Sequence, residues 1–308
     1  MGLAARKAGI DPLEFDIAII DEVGRATVPE LLIPLLRCKK VVLIGDHFQL
    51  PPSIAPILRE DSTKEDLPFI HEEFLEKSFF ELLFEELPDS CKTILKEQFR
   101  MPPKIGNLIA DLFYTTKEGE RRLFNGRDDD NLILPEPIYW VDIKGKQQKP
   151  NHSTSLENEA EAQAICDFLK HLSACNQFIE VAVITPYGSQ KKKIRKLLGF
   201  NGRDTKLGNL EIKIDTVDGF QGSEADIVCY STLRTVRSLQ FLLDRKRLNV
   251  ACSRAKKNLV FFGRSEYLRQ WKPSKNEINL FQEIIEKYST LVDSPSLLKS
   301  LENITCKP

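Results

Sequence analysis

The chain has 308 residues, 42% of them hydrophobic and 29% charged, with a formal net charge of −1. That length predicts two domains, each with a sizeable core, and the composition is that of a soluble globular protein. The balanced charge excludes an overall nucleic-acid signature, and no apolar run is long enough to span a membrane.

Charge is unevenly distributed, however. Arg59 to Glu97 holds 12 acidic and 5 basic residues, whereas Ser231 to Lys275 holds 2 acidic and 12 basic. The second stretch either attracts phosphates or is a plain solvated face. The seven cysteines form no C-x-x-C pair and the four histidines are scattered, so no zinc spacing is present. With no signal peptide read at the start, reduced thiols of a cytoplasmic or nuclear protein are expected.

In chain order, the first predicted elements are two β-branched runs, Phe15 to Ile20 and Val41 to Ile44. Neither shows polar alternation, which predicts strands buried on both faces of a parallel sheet. Asp21-Glu22 follows the first run, and Gly45-Asp46 follows the second. In open α/β sheets, ligands bind at that C-terminal edge. Thr115 to Ser155 reads as a connection containing one strand at Ile138 to Val141. Leu156 to Leu172 reads as a helix capped by Ser155, and Ser189 to Leu198 as a basic amphipathic helix. Further strands are predicted at Val181 to Ile184, Ile227 to Tyr230 and Leu259 to Phe262. The tail from Asn276 to Cys306 reads as helical, broken near Ser294-Pro295. Strands alternating with helices define an α/β protein.

Two adjacent carboxylates past a buried strand suit a hydrated magnesium ion and a polarised water. Gln49, near the end of the second run, both donates and accepts hydrogen bonds, which fits contact with a γ-phosphate or an ordinary turn closed by Pro51-Pro52. In order, the chain then presents Gln98-Phe99-Arg100-Met101-Pro102-Pro103, Thr185-Pro186-Tyr187-Gly188-Ser189-Gln190, Thr216 to Asp226 with its Gly-Phe-Gln-Gly-Ser-Glu core, and Arg247 to Lys256. Together with Asp21-Glu22 and Gly45 to Pro52, these motifs resemble those of superfamily 1 helicases. The nearest group contains the nonsense-mediated-decay helicase and senataxin. The ordered set covers about Phe15 to Gly263 and is far more specific than any single motif.

The resemblance implies two RecA-like P-loop NTPase domains with parallel sheets, the first truncated at its N-terminus. Residues 1–96 would be the remnant of the first domain, 97–275 the second domain, and 276–308 a helical tail. ATP with magnesium is the implied cofactor, and single-stranded RNA or DNA the implied partner. Asp21 would bind magnesium, Glu22 orient the hydrolytic water and Gln49 contact the γ-phosphate. Arg100 and Arg254 would act as arginine fingers, and Gly222 and Glu224 would contact the nucleotide. Asp218 and Arg247 would help shape the motifs. Thr185, Pro186, Tyr187 and Gln190 would touch the nucleic-acid backbone. Tyr187 would either stack a base or pack at the strand end. Lys191, Lys192, Lys193, Arg195 and Lys196 add a basic helical face.

The sequence departs from the family pattern at Arg25, where a glutamine is usual, and at Phe99 and Pro102, where tyrosine and histidine are usual. No change in either motif is expected to abolish catalysis by itself. The larger departure is that no Gly-x-x-x-x-Gly-Lys-Ser/Thr loop is present. Only about 20 residues precede Asp21, and Met1 to Ala5 match at most the segment before its strand. Three explanations stand: a fragment or internal-start product of a longer helicase, pairing with a separate chain that supplies the loop, or a pseudo-enzyme that binds nucleic acid or protein without hydrolysis. Retention of Glu22, Arg100 and Arg254 favours descent from a working motor. An unrelated metal-dependent hydrolase would leave the remaining motifs unexplained.

Overall fold

Both early apolar runs form strands in the computed structural model, which describes residues 14–52, 78–129, 131–151, 153–273 and 278–305. Residues 1–5, part of the acidic stretch (59–77) and the start of the tail at Asn276 lie outside the described residues. The chain divides into two units, Met1–Ile94 and Leu95–Pro308.

In the first unit, β1 (Phe15–Ile20) and β2 (Cys38–Leu43) pair in parallel, joined through helix α1 (Val28–Leu35). Pro29 sits in the first turn of α1, where no amide donor is needed, and the Glu30 carboxylate accepts the Thr27 amide at 2.9 Å. Helix α2 (Phe79–Glu86) starts at Ser78, whose hydroxyl accepts the Glu81 amide. Val23, Leu31 and Phe80 form a small core, with Ile20, Leu35, Leu43 and Phe84 packed around it. Burial on both strand faces was expected and is not found. Ile20 and Leu43 face this core, but Ile17, Ile19 and Val42 are exposed, Ile19 at 70%. Alternate residues of a strand point to opposite faces, and only one face of this pair is covered among the described residues.

The second unit opens with β3 (Glu97–Gln98), which pairs in parallel with β4 (Phe124–Asn125) across helix α3 (Pro103–Phe113). Its main sheet contains β5 (Ile138–Asp142), β6 (Ile179–Thr185), β7 (Lys206–Leu207), β8 (Leu210–Thr216), β9 (Ala225–Ser231), β10 (Ala255–Gly263) and β11 (Thr290–Val292), in the order β11-β5-β10-β9-β6-β8-β7. Every pair is parallel except β7 with β8. The helices are α4 (Glu159–Leu172), α5 (Gly188–Leu197), α6 (Arg245–Cys252), α7 (Ser265–Gln270), α8 (Leu280–Glu283) and α9 (Ser294–Thr305).

One face packs Val141, Val183, Cys229, Val260 and Phe262 beneath the apolar side of α4, Ile194 of α5 and Leu297 and Leu301 of α9. On the other face Trp140 stacks on Phe261 with centroids 5.2 Å apart, meets Phe281 edge-on, and donates its indole N–H to the Gly263 carbonyl. Apolar residues on both faces explain why β5, β9 and β10 read as unbroken runs.

Three elements differ from the sequence reading. Helix α4 is capped by Asn158, whose side chain accepts the Glu161 amide, while Ser155 Oγ accepts the Ser189 amide instead. Strand β8 went unread because Glu211, Lys213 and Asp215 alternate with buried Leu210, Ile212 and Ile214. The tail is not simply helical, because Thr290–Val292 joins the sheet beside β5. Ser294-Pro295 begins α9 rather than breaking a helix, with Asp293 accepting the Ser296 amide at 2.8 Å.

Trp140→Ala should destabilise this unit by about 3–5 kcal/mol, because it empties a fully packed aromatic site. Urea unfolding followed by circular dichroism measures it, and a loss below about 1 kcal/mol would contradict this packing.

Candidate functional site

In the first unit, the parallel pairing brings the residues after β1 and β2 to one edge. Val23 N donates to the Ile44 carbonyl at 3.0 Å. A Cβ on Gly45 would lie 2.8 Å from the Val23 side chain, so the two strand ends approach as closely as glycine allows. Asp21 and Glu22 are exposed there. Glu22 adopts φ 57°, and its amide donates to Asp21 Oδ1 at 2.8 Å. A non-glycine residue in this region is strained, by about 1–2 kcal/mol, and such strain concentrates at functional sites. Asp46 accepts Phe48 N at 3.0 Å and Gln49 Nε2 at 2.7 Å, so its carboxylate aims the Gln49 amide.

In the second unit, the nucleotide candidates converge on the N-terminal edge of the sheet, opposite to the edge that the strand-end rule picks out. The reason is positional: Glu224 immediately precedes β9, and Arg254 immediately precedes β10. The Gln98 side-chain oxygen accepts the amides of Arg100 and Met101, and this turn displays Arg100. Arg100 Nε donates to Glu224 at 2.8 Å, and Nη1 donates to the Ser253 carbonyl at 3.1 Å. Arg254 is buried, donating to the carbonyls of Val250 and Ser223 and to Ser253 Oγ. Gly222 takes φ 75° two residues before Glu224. A depression of about 500 Å³ opens here, lined by Phe99, Arg100, Arg127, Glu224, Lys256 and Lys257. Phe99 is 64% exposed on its rim, and a Cβ on Gly126 would collide with its ring.

The strand-binding candidates lie at the C-terminal edge, and their roles divide. Thr185 is fully buried, and its hydroxyl accepts Tyr187 N at 3.4 Å. Gln190 departs from its expected backbone contact. It too is fully buried, its oxygen accepting Asn158 N and its amide donating to Asn158 O and Ser231 Oγ. Pro186 and Tyr187 remain half-buried. Arg234 Nε donates to the Tyr187 hydroxyl at 2.7 Å, and its guanidinium lies 5.4 Å from the ring centre. Tyr187 neighbours Phe241 at 5.7 Å, and Arg247 lies 4.9 Å from the Phe241 ring. Arg234, Tyr187, Phe241 and Arg247 thus form one cation–aromatic row, two neighbouring rings with a guanidinium at each end. Arg247 also pairs with Asp218 at 3.4 Å. Sequence reasoning passed over Arg234 and Phe241, and the one signal for them was the basic excess after Ser231. The basic helical face is partly consumed. Lys191 pairs with Asp215, Lys193 with Glu157 and Glu159, and Arg195 donates to the carbonyls of Gly202 and Asp204. Lys192 and Lys196 are exposed.

Beneath this edge lies a titratable group absent from the sequence reading. Glu161 is fully buried; burial pushes its pKa up to about 8, while hydrogen bonds from Ser231 Oγ and Leu233 N oppose the rise. Burial likewise raises the thiols, that of Cys166 to about 12, which leaves them poor nucleophiles. Among the described residues, no group of three or more His, Cys, Asp or Glu side chains is placed to hold a metal ion, and no helix is long and apolar enough to cross a membrane.

Two family models match the chain, both described as an AAA domain, over residues 4–55 and 75–266. An uncharacterized ATP-dependent helicase of Methanocaldococcus jannaschii is 31% identical over 91% of the chain and 40% of its own length. The DNA polymerase alpha-associated DNA helicase A of Schizosaccharomyces pombe is 32% identical over 83% of the chain and 39% of its own length. A regulator of nonsense transcripts 1 homolog of Neurospora crassa is 31% identical over 84% of the chain and 23% of its own length. The chain belongs to the AAA-domain superfamily 1 helicases, in the group of the nonsense-mediated-decay helicase and senataxin. It spans two-fifths or less of the length of these three relatives.

Glu161 sets a pH dependence. Its folded pKa of about 8 exceeds the ordinary glutamate value of 4.5, so the folded state holds the extra proton between these values and loses that stabilisation as pH rises towards 8. Wild type should lose more stability from pH 5 to pH 8 than Glu161→Gln, measured by urea unfolding. Parallel pH profiles would contradict the assignment.

Proposed function

We propose that the chain supplies the Asp-Glu end of the first motor domain and the whole second motor domain of an ATP-driven helicase or translocase on single-stranded RNA or DNA. Residues 1–96 and 97–275 serve as these two parts, with 276–308 completing the second. The observation that carries the reading is helix α6. Its first turn holds Arg247 in the cation–aromatic row, and Arg254 follows its last turn at the opposite edge. Eight helical residues rise about 12 Å. A rigid rod of that length links residues suited to a nucleotide with residues suited to a strand.

Bound ATP with magnesium would supply the hydrolysable phosphoanhydride. The exposed Asp21 carboxylate fits a hydrated magnesium whose other ligands are water and phosphate, and it does not fit a protein-caged ion. Glu22 stands beside it to orient water, and Gln49 is held by Asp46 to meet a phosphate oxygen. Arg100 and Arg254 offer permanent charge to phosphate, and Gly222 and Glu224 frame the nucleotide. At the other edge, Pro186 and Tyr187 receive the strand with Arg234, Phe241 and Arg247. Aromatic faces suit bases and guanidinium groups suit phosphates. Thr185 and Gln190 brace this edge from below. An intracellular location, cytoplasmic or nuclear, accords with a nucleic-acid partner.

The chain lacks the glycine-rich loop and lysine that cradle a triphosphate, so we expect no turnover from it alone. A phosphate-release assay tests this, and robust magnesium-dependent hydrolysis abolished by Glu22→Gln would refute it. Strand binding should persist. Tyr187→Ala should weaken binding of a fluorescent oligonucleotide about tenfold, within the range for one stacked base. Arg234→Ala should also lower the slope of log affinity against log salt by about one. Unchanged affinity and salt slope in both variants would overturn the strand assignment.

A further inference from the structure

Four side chains below the C-terminal edge are wholly buried: Asn158, Glu161, Gln190 and Ser231. They belong to the start of α4, to α5 and to the end of β9. Glu161 Oε2 accepts Ser231 Oγ at 2.7 Å and Leu233 N at 2.8 Å, while Oε1 accepts Asn158 Nδ2 at 3.2 Å. Asn158 Nδ2 also reaches the Leu233 carbonyl at 3.4 Å. Both polar backbone groups of Leu233 are therefore held by side chains from the first turn of α4.

Leu233 needs that hold. Its φ is 64°, a conformation that disfavours any residue with a Cβ, yet its side chain is completely buried. Glycine would relax the backbone but empty the core. The next residue is Arg234, whose guanidinium lies on Tyr187 and begins the cation–aromatic row. On the far side, Thr235 N donates to Gln147 Oε1 at 3.0 Å, and Gln147 N donates to Thr235 Oγ1 at 3.0 Å. The segment is thus pinned before and after Arg234, and the direction of that side chain follows from the Leu233 turn.

We propose that Glu161 is the positioning residue of the strand-binding edge: it clamps Leu233 in the left-handed turn that delivers Arg234 onto Tyr187. A carboxyl group is an expensive side chain to bury, and an apolar residue of similar size would serve packing alone better. What an apolar residue lacks is two oxygens that fix a hydroxyl, a backbone amide and a side-chain amide at once. The proposal rests on the strand reading of this edge, and it predicts that Glu161 acts on binding only through Arg234.

The test is a double-mutant cycle on the full chain with a fluorescent 20-nucleotide oligouridylate or oligothymidylate, read by anisotropy. Glu161→Gln keeps the volume but sets an amide donor against one of the three donors. It should weaken binding about tenfold alone, and by less than about twofold when Arg234 is already alanine. A role confined to the core would multiply the two losses, and that result overturns the proposal. Ser231→Ala, a milder lesion that removes one donor to Glu161, should weaken binding about threefold with the same non-additivity. It keeps the cycle readable if Glu161→Gln does not fold. Hydrogen exchange of residues 232–236 in the free chain supplies an arm independent of any strand. It should quicken in both variants while β6 and β10 stay protected, and unchanged exchange overturns the clamp. If wild type binds the strand but Arg234→Ala and Tyr187→Ala bind equally well, the strand reading fails and the proposal falls with it. If those two weaken binding and the Glu161 and Ser231 variants do not, the proposal alone fails.

Discussion

The parallel run of the main sheet is the constraint on which the second unit depends. Strands that point the same way, as all but β7 do here, force each connection between them to return from the C-terminal edge to the N-terminal edge before the next begins. Every crossover therefore has one end at each edge. The segment from Ser231 to Ala255 shows this most fully. It leaves β9 beside Tyr187, places Arg234, Phe241 and Arg247 along one edge, and runs through α6 to set Arg254 beside Ser223 at the other. A sequence that keeps chemistry at both ends of such a connection keeps it at both edges of a rigid sheet.

Much of this was legible in residues. Unbroken apolar runs marked β5, β6, β9 and β10, because those strands are covered on both faces. The same pattern misled at β1, whose Ile17 and Ile19 are exposed. Hydropathy reports what a strand is suited to meet, not what lies against it among the described residues. Strand β8 was hidden for the opposite reason, since Glu211, Lys213 and Asp215 break its run while its other face is buried. The motifs are legible by residue type and order, but the sheet edge on which each residue falls is not. Glu224 and Arg254 precede their strands, so a rule built on residues that follow strands sends them to the wrong side. Gln190 marks a further limit. An amide that both donates and accepts suits a nucleic-acid backbone and a buried bracket equally, and only its neighbours Asn158 and Ser231 decide.

Two buried ionisable groups solve the problem of burial differently. Arg254 stays charged at any accessible pH and spreads that charge over the carbonyls of Val250 and Ser223 and the hydroxyl of Ser253. Glu161 is surrounded by donors, which suit its ionised form, yet burial lifts its pKa to about 8. The guanidinium is thus a fixed charge held in position. The carboxyl is a bracket whose proton is available near neutral pH. On the proposed reading each fits its place: permanent charge at the nucleotide edge, and a titratable oxygen pair beneath the strand edge.

The two candidate fingers also differ in freedom. Arg100 and Glu224 are 39% and 47% exposed, and a solvent-screened pair of this kind contributes about 0–1 kcal/mol. An anion that draws Arg100 away would have to replace both this pair and the bond to the Ser253 carbonyl. Moving Arg254 would break at least three hydrogen bonds inside the packed junction between α6 and β10, each worth about 0.5–1.5 kcal/mol. Arg100 is thus the more exposed of the two cations, and Arg254 the one whose position the fold dictates. Arg254 is bonded to the Val250 carbonyl, so its side chain is anchored on α6. That helix begins in the cation–aromatic row. The fixed arginine is thus tied by a hydrogen bond to the same helix that carries Arg247 at the opposite edge.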